Sequence, residues 1–492
     1  MKKLSLFIIT LFAAVLLVGC GGGKPVGPQK PKKIQLTYAD WGNAEDNQKL
    51  IDAFEKAHPN IKVLLREDIP GSGAEFTGGL LAQAQAGNLP DVFATDNVPV
   101  VVNNGLTLDV AKYWDADEDA KLVYEFPANT AVYNGKRYAI PSFQFLKGIF
   151  INLTVFEKAN LKTVPGKYRI DANGYPVKDW THTEMVEIAK AITNYDLDDK
   201  ANMMVGLGLW YGNVDFQQIW PMMNNTSYAY DTYDGDKFHY ESPEWIAAMK
   251  AKVDIMDNVK YPGVTSSIPA DDLEKFNALE LGWMITTGYQ AMQIDGSWNT
   301  TGVMQGAEAA GFEIGFWPYP QGSEGFFPPT ILDYQAISSQ TKYPEEAYQL
   351  AKWMTYGKAG WLARLDIQEA KRKENLEKGE PIFHLDRYPI ADYPEVWERV
   401  YDLLKDENGE ELVPGLTYTL DHIEESRPDL DKWLAGYNTF WGWVADPENP
   451  YNWDNLLQAG PDAVATYAKE WNTKINQTVK DEIENLGKDK TN

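Results

Sequence analysis

The chain has 492 residues, with 71 acidic against 45 basic side chains and a formal charge of −26. That balance excludes the basic footprint that non-specific nucleic-acid binding requires, and disfavours a large basic membrane-binding face. The composition, 44% hydrophobic and 13% aromatic, excludes a disordered or low-complexity chain. The length exceeds one ordinary core and points to two or three units, or two large lobes. One cysteine excludes a disulfide within the chain.

Lys2 and Lys3 precede an apolar run from Leu4 to Val18, followed by Gly19 and Cys20. A basic start, a short apolar stretch and small residues at its end read as a secretory signal, too short and wrongly flanked to span a bilayer. Leu17-Val18-Gly19-Cys20 resembles the bacterial lipobox, in which the cysteine is lipidated and becomes the first mature residue. The alternative is an ordinary signal peptide with an incidental cysteine. Residues 1–19 are then a lipoprotein signal peptide, and 20–33, rich in glycine and proline, a flexible tether. Cleavage before Cys20 removes two lysines, which leaves 43 basic against 71 acidic residues and a mature charge of −28. The expected location is extracytoplasmic, lipid-anchored to a bacterial cell membrane.

Ile34 to Tyr38 alternates as a half-buried strand, and Asp46 to Ala57 places Leu50, Ile51 and Phe54 on one helical face. Ile61 to Ile69 reads as a second strand, Phe76 to Ala86 as a second helix and Asp91 to Ala94 as a third strand. This rhythm predicts a parallel sheet with helices on its faces. Ligands in such sheets sit beyond the carboxyl ends of the strands. That points to the loops at Asp40-Trp41-Gly42-Asn43 and Thr95-Asp96-Asn97. Helical periodicity returns at Thr183 to Thr193, Pro243 to Met256, Pro344 to Thr355 and Asp462 to Val479. The charged stretch Glu369 to Glu380 reads as a solvated helix face or loop.

No P-loop, GxGxxG, GxSxG or HExxH motif occurs, and the five histidines lack ligand spacing. Asp171-Ala172-Asn173-Gly174 begins like a calcium loop, and with Asp179 it is a weak calcium candidate. Its glycine comes too early, however, and His182 stands where the terminal glutamate belongs. An ordinary turn is the competing reading. No other cofactor is expected, and no carboxylate pair declares a hydrolase.

Several segments together resemble the family 1 extracellular solute-binding proteins, the sugar-binding components of bacterial ABC importers. Gly87-Asn88-Leu89-Pro90-Asp91-Val92 is similar to the family's G-x-x-P-D-[IV] lead into the third strand. Gly135-Lys136-Arg137-Tyr138-Ala139-Ile140-Pro141 resembles its GKxYxxP block, and Phe150 to Ala159 its YNxxLFEKAG block. Asp179 to Met185 corresponds loosely to a TWDE helix start, and Tyr240-Glu241-Ser242-Pro243-Glu244 to F-x-S-P-E. Ala291-Met292-Gln293-Ile294-Asp295-Gly296-Ser297-Trp298 is similar to AMxxxGxW. Ala336-Ile337-Ser338 with Tyr343 to Ala347 resembles the I-x-x-x-S-K-x-P-E-A-A block. The match spans about residues 34 to 356, and the stretch from 360 to 435 has no matching motif.

The resemblance implies a periplasmic-binding-protein-like II fold, two discontinuous α/β lobes around a hinged ligand cleft. Lobe 1 is expected at 34–145 and 293–356, and lobe 2 at 146–292 and 357–492. The crossovers are expected near Ser142 to Phe150 and Thr287 to Asp295.

Sugars present a C–H face to aromatic rings and a hydroxyl rim to polar groups. Trp41, with Asp40 and Asn43 after the first strand, offers both, although an aromatic there can also be core. Asp96 occupies the corresponding loop of the third strand. Trp298 matches the family's sugar-stacking tryptophan. Phe143, Gln144 and Phe145 fall on the expected hinge, where buried strand packing is the alternative. Trp210, Tyr211, Phe216 and Gln217 fall where relatives place second-lobe aromatics. Asp333 and Tyr334 precede a strand at a cleft loop, and Trp441 and Trp443 match another sugar platform. Trp353, Trp361, Trp433, Trp453 and Trp471 are assigned to packing.

The expected function is capture of a neutral oligosaccharide by a monomeric, lipid-anchored binding protein that serves ABC transporter permease subunits. An aromatic row suits successive sugar rings, and no bidentate arginine for a uronate can be placed. An exported glycoside hydrolase, a non-sugar solute and an adhesin or sensor on the same fold remain alternatives.

Overall fold

The structure is a computed structural model and describes residues 33–194, 204–209, 212–256 and 284–488. Strand β1 (Ile34–Ala39) lies between β2 (Ile61–Leu65) and β3 (Val92–Thr95) and pairs in parallel with both. Helices α1 (Ala44–Ala57) and α2 (Gly73–Gln85) connect them. Helix α1 starts where the Asn43 side chain accepts the Asp46 N–H, and it buries Leu50, Ile51 and Phe54. The strand–helix rhythm read from the sequence is therefore present, with the second helix starting three residues earlier than its apolar pattern.

The two lobes share one strand. Strand β4 (Ile140–Asn152) runs 13 residues and is buried along almost its whole length. Beyond it come α3 (His182–Ile192), β5 (Val205–Leu209), α4 (Gly212–Met223), α5 (Pro243–Ile255), β6 (Gln290–Gly296), α6 (Thr300–Ala310), β7 (Ile314–Trp317) and β8 (Pro329–Ile337). Residues 140–146 of β4 pair with β8, whereas 147–152 pair with β6 and β7. The sheet order is β2-β1-β3-β8-β4-β6-β5. The first crossover thus falls where the sequence placed it.

The second does not. Strand β6 is held antiparallel to β4 from Lys147 to Ile151 and parallel to β5 on its other edge, so it stays in the second lobe. The chain returns to the first lobe between β7 and β8, after Trp317 rather than at Thr287 to Asp295. A third crossing follows α7 (Lys358–Lys378), where β9 (Arg427–Pro428) pairs with the start of β8. Helices α8 (Tyr437–Ala445) and α9 (Val464–Asn485) then return to the second lobe.

The cores follow this path in part, for Ile285, Val303, Ala307, Ile314 and Phe316 pack into the first core. Leu36, Ile51, Phe54, Ile140 and Tyr334 belong to the first, and Ile149, Ile151, Ile188, Trp245, Met292, Phe440 and Trp471 to the second. Trp361, Leu365, Tyr388, Ile390, Val396 and Val400 join the first core. Strand pairing keeps β6 and β7 with the second half of β4, and the buried residues of 358–423 join the first core rather than the second. The motif-free stretch is amphipathic, and its apolar residues cover the first core while its charged half faces water. Glu369 to Glu380 is indeed the solvated end of α7 and its cap.

Candidate functional site

The end of β1 carries a carboxylate fixed from three sides. Asp40 Oδ1 accepts the Gly42 N–H at 2.5 Å, and Oδ2 accepts the Tyr38 hydroxyl at 2.9 Å and Gln335 Nε2 at 2.8 Å. A Cβ at position 42 would lie 2.8 Å from Asp40 Oδ1 and displace that carboxylate. Trp41 is half-buried and stands edge-on to Phe76, with centroids 5.3 Å apart. Asn43 is exposed, its carbonyl committed to capping α1. At the end of β3, Asp96 Oδ1 accepts the Thr77 hydroxyl at 2.9 Å.

Strand β8 carries an irregularity between Leu332 and Tyr334. A bulge re-aims side chains on either side of it. Asp333 emerges from it to accept Lys432 Nζ at 2.5 Å, while Tyr334 turns into the first core with 1% exposure. Tyr334 is thereby withdrawn from the candidate set. Burial works against the Lys432 charge, but Asp333, Asp429 and Asp96 outweigh it and hold the ammonium above its ordinary value.

On β4, Phe143 and Phe145 form one wall, 5.4 Å apart. Phe145 meets Trp298 edge-on at 6.0 Å. Trp298 lies in a short 3₁₀ turn directly after β6, and the preceding Asp295 is buried. Its carboxylate accepts Gly296 N–H, Gln293 Nε2 and Asn299 Nδ2 at 2.8 to 3.1 Å. Burial outweighs those bonds and pushes its pKa up to about 6. Gln144, expected to face the ligand, is covered. Its backbone pairs with Tyr388 in both directions, and its Nε2 donates to the Pro389 carbonyl at 2.9 Å.

Cations that no sequence pattern announced lie at this junction, among them Arg364, its guanidinium carbon 5.6 Å from the Phe143 centroid. Arg387 stands over Phe143 and Phe145, its guanidinium carbon 4.6 and 5.3 Å from their centroids. It donates from Nε and Nη2 to Asp386 at 2.8 and 3.1 Å. Burial lowers its pKa, and Asp386, with help from Asp333 and Asp40, more than reverses this. Lys147, buried on β4, donates to the Tyr230 hydroxyl at 2.8 Å and lies 3.7 Å from Asp429.

The second-lobe candidates are less convergent. Trp210 and Tyr211 lie outside the described residues. Phe216 packs against His182 at 4.0 Å inside the second core, and Gln217 is fully buried, accepting Lys252 Nζ at 2.9 Å. Both leave the candidate set, because α4 turns these side chains inward. Trp441 and Trp443 keep partial exposure. Trp441 lines a cavity of about 380 Å³ with Lys252, Asn452, Trp453 and Asp454, and Lys474 lies 5.7 Å from the Trp443 ring. The calcium candidates are not gathered. Asp171 Oδ1 accepts three backbone N–H groups of its own turn, and Asp179 pairs with Arg169 at 2.9 Å.

The structure thus sets Asp40, Trp41, Asp96 and Asp333 on or just after first-lobe strands, and Phe145 against Trp298. It adds Tyr38, Gln335, Asp386, Arg387 and Lys432. The profile of the bacterial extracellular solute-binding proteins matches residues 42–356. The chain belongs to this family. An uncharacterized ABC transporter extracellular-binding protein from Pyrococcus horikoshii is 27% identical over 187 residues. The alignment covers 34% of this chain and 42% of that protein, so the chain spans under half of that relative's length. Among solved structures, a cyclic alpha-maltosyl-1,6-maltose binding protein from Arthrobacter globiformis superposes with a TM-score of 0.60 at 17% identity, covering 91% of this chain and 100% of that one. A Listeria monocytogenes substrate-binding protein in complex with cycloalternan gives 0.56 at 16% identity over 92% and 98%. A Thermotoga lettingae solute-binding protein bound with alpha-D-tagatose gives 0.53 at 18% over 91% and 100%. This solute-binding protein therefore has the two-lobed periplasmic-binding-protein-like II fold.

Proposed function

We propose that this protein captures a neutral oligosaccharide outside the cytoplasm, as a lipid-anchored monomer, and delivers it to the permease of an ABC importer. The observation that carries the reading is the Trp298–Phe145 contact, with the Arg387 guanidinium over Phe145 and within reach of the charges of Asp40 and Asp333. Aromatic faces accept the C–H side of a sugar ring, and carboxylates and amides accept its hydroxyl rim. Arg387, Lys432 and Lys147 each face a carboxylate of the protein. The solved relatives with cyclic glucan and tagatose ligands are in keeping with a carbohydrate. Closure of two lobes about β4 would bury the sugar and let a permease read occupancy. The lipobox at Cys20 supports the anchor.

A thermal-shift screen of the protein lacking residues 1 to 20, against neutral and acidic oligosaccharides of graded length, tests the reading. A ligand at 100 times its Kd adds ~2.7 kcal/mol, and several degrees of Tm with it. Recovery of the intact glycan is expected, and a shortened product would establish a glycoside hydrolase instead. A shift only with polyuronates would overturn the neutral assignment. Cys20→Ser is expected to release the protein from membranes with its affinity unchanged.

A further inference from the structure

The segment from Ile382 to Asp392 straps the two lobes together, and it lies outside the 42–356 stretch that the family profile matches. Its first part is bonded to elements that follow β6. Gln305 Nε2 donates to the Ile382 carbonyl at 3.4 Å, Thr301 Oγ1 exchanges bonds with His384 N and O at 3.1 and 3.2 Å, and Ser297 Oγ donates to the Asp386 carbonyl at 2.5 Å. Its middle is bonded to β4 through Gln144 and Tyr388. Its last part is bonded to the first lobe, where Tyr124 N–H donates to Ile390 O and Asp392 N–H to Leu122 O, both at 2.9 Å.

This anchoring sets Arg387 over the aromatic wall that Trp298 completes. The Arg387 side chain as a whole keeps 28% exposure. Of its five N–H donors, two are engaged by Asp386. The remaining donors form part of a rigid fork that matches two adjacent oxygens. Asp40 and Asp333 lie close enough to stabilise the charge, so ligand hydroxyls at this point would meet donors and acceptors together.

We propose that Arg387 is a specificity-determining ligand contact, its guanidinium fork reading a pair of neighbouring hydroxyls on a sugar ring seated against Phe145 and Trp298. The inference rests on the carbohydrate reading above, and the test separates the two. Isothermal titration of the mature protein is run with maltotetraose, cellotetraose, xylotetraose and mannotetraose, followed by Arg387→Ala, Arg387→Gln and Arg387→Lys with whichever binds. Gln and Lys keep an aliphatic stem at this position should the alanine variant fail to fold. The expected result is a loss of about 10- to 100-fold in affinity, the size of a charge-assisted bond, with an unchanged apo Tm and no recovery by lysine. Full affinity in the glutamine variant, or full rescue by lysine, overturns the forked contact while leaving the carbohydrate reading standing. Absence of binding by the unsubstituted protein removes that reading, and this inference with it.

Discussion

The indole of Trp298 stands at 85° to the ring of Phe145, and it folds back so far that a Cβ on Gly296 would lie 1.9 Å from its six-membered ring. The glycine is therefore a condition of the tryptophan's position rather than a turn requirement. Trp298→Ala is expected to weaken ligand binding by two orders of magnitude or so, the scale of a central aromatic anchor. The apo Tm should stay within a few degrees, because the ring is only half-buried. Gly296→Ala should reproduce much of the loss without touching ligand. Titration calorimetry with a parallel melting curve checks both. A large fall in apo stability for Trp298→Ala would make the ring core and end its assignment to the ligand.

Lys147 ties the third crossing to the second lobe. Its ammonium, with 8% side-chain exposure, lies between Asp429 at 3.7 Å and the Tyr230 hydroxyl at 2.8 Å. Asp429 in turn donates its N–H to Thr330 on β8. Removing one partner of a buried pair strands the other charge and costs roughly 3–5 kcal/mol, whereas replacing both with apolar groups costs far less. Asp429→Leu should therefore lower the urea midpoint sharply, and Lys147→Met with Asp429→Leu should recover most of it. Additive losses in the double variant would show that the two charges are not coupled.

What the sequence disclosed, it disclosed through local pattern. The parallel start and the shared strand followed from alternation, helical faces and the motifs up to Tyr356. The sequence grouped Tyr334 with Asp333, because a bulge that sends adjacent side chains apart leaves no mark in composition. Gln144 is expected at the ligand from its place on the hinge and Gln217 from its place in the second lobe of relatives, while tertiary partners bury both. Arg387 was out of reach altogether. Its position depends on long-range bonds to Gln144 and Ser297, made by a stretch with no motif, and no local period encodes them.

The Asp171 turn offers a test of cation binding. Its Oδ1 already collects the N–H groups of Asn173, Gly174 and Tyr175 at 2.8 to 2.9 Å. Asp171→Ala should cost about 1–2 kcal/mol through those lost acceptor bonds. Millimolar calcium or a chelator should leave the Tm of the unsubstituted protein where it is. A calcium-dependent rise of several degrees, abolished in Asp171→Ala, would restore the calcium loop.

Asp295 makes stability depend on pH in a predictable direction. Its folded pKa is about 6, against ~3.9 for an unhindered aspartate. Between those values the folded protein holds a proton that the unfolded chain has released. The contribution is therefore complete below pH ~4 and is lost as the pH rises through about 6, by at most ~3 kcal/mol. Asp295→Asn carries no such proton. The difference in Tm between that variant and the unsubstituted protein should therefore move in the variant's favour from pH 4 to pH 7, by several degrees. Its absolute offset depends on how well the amide replaces the carboxylate against Asn299 and Gly296, so the slope is the diagnostic quantity. A difference constant with pH would mean that Asp295 titrates in the ordinary carboxylate range, its three donors having outweighed its burial.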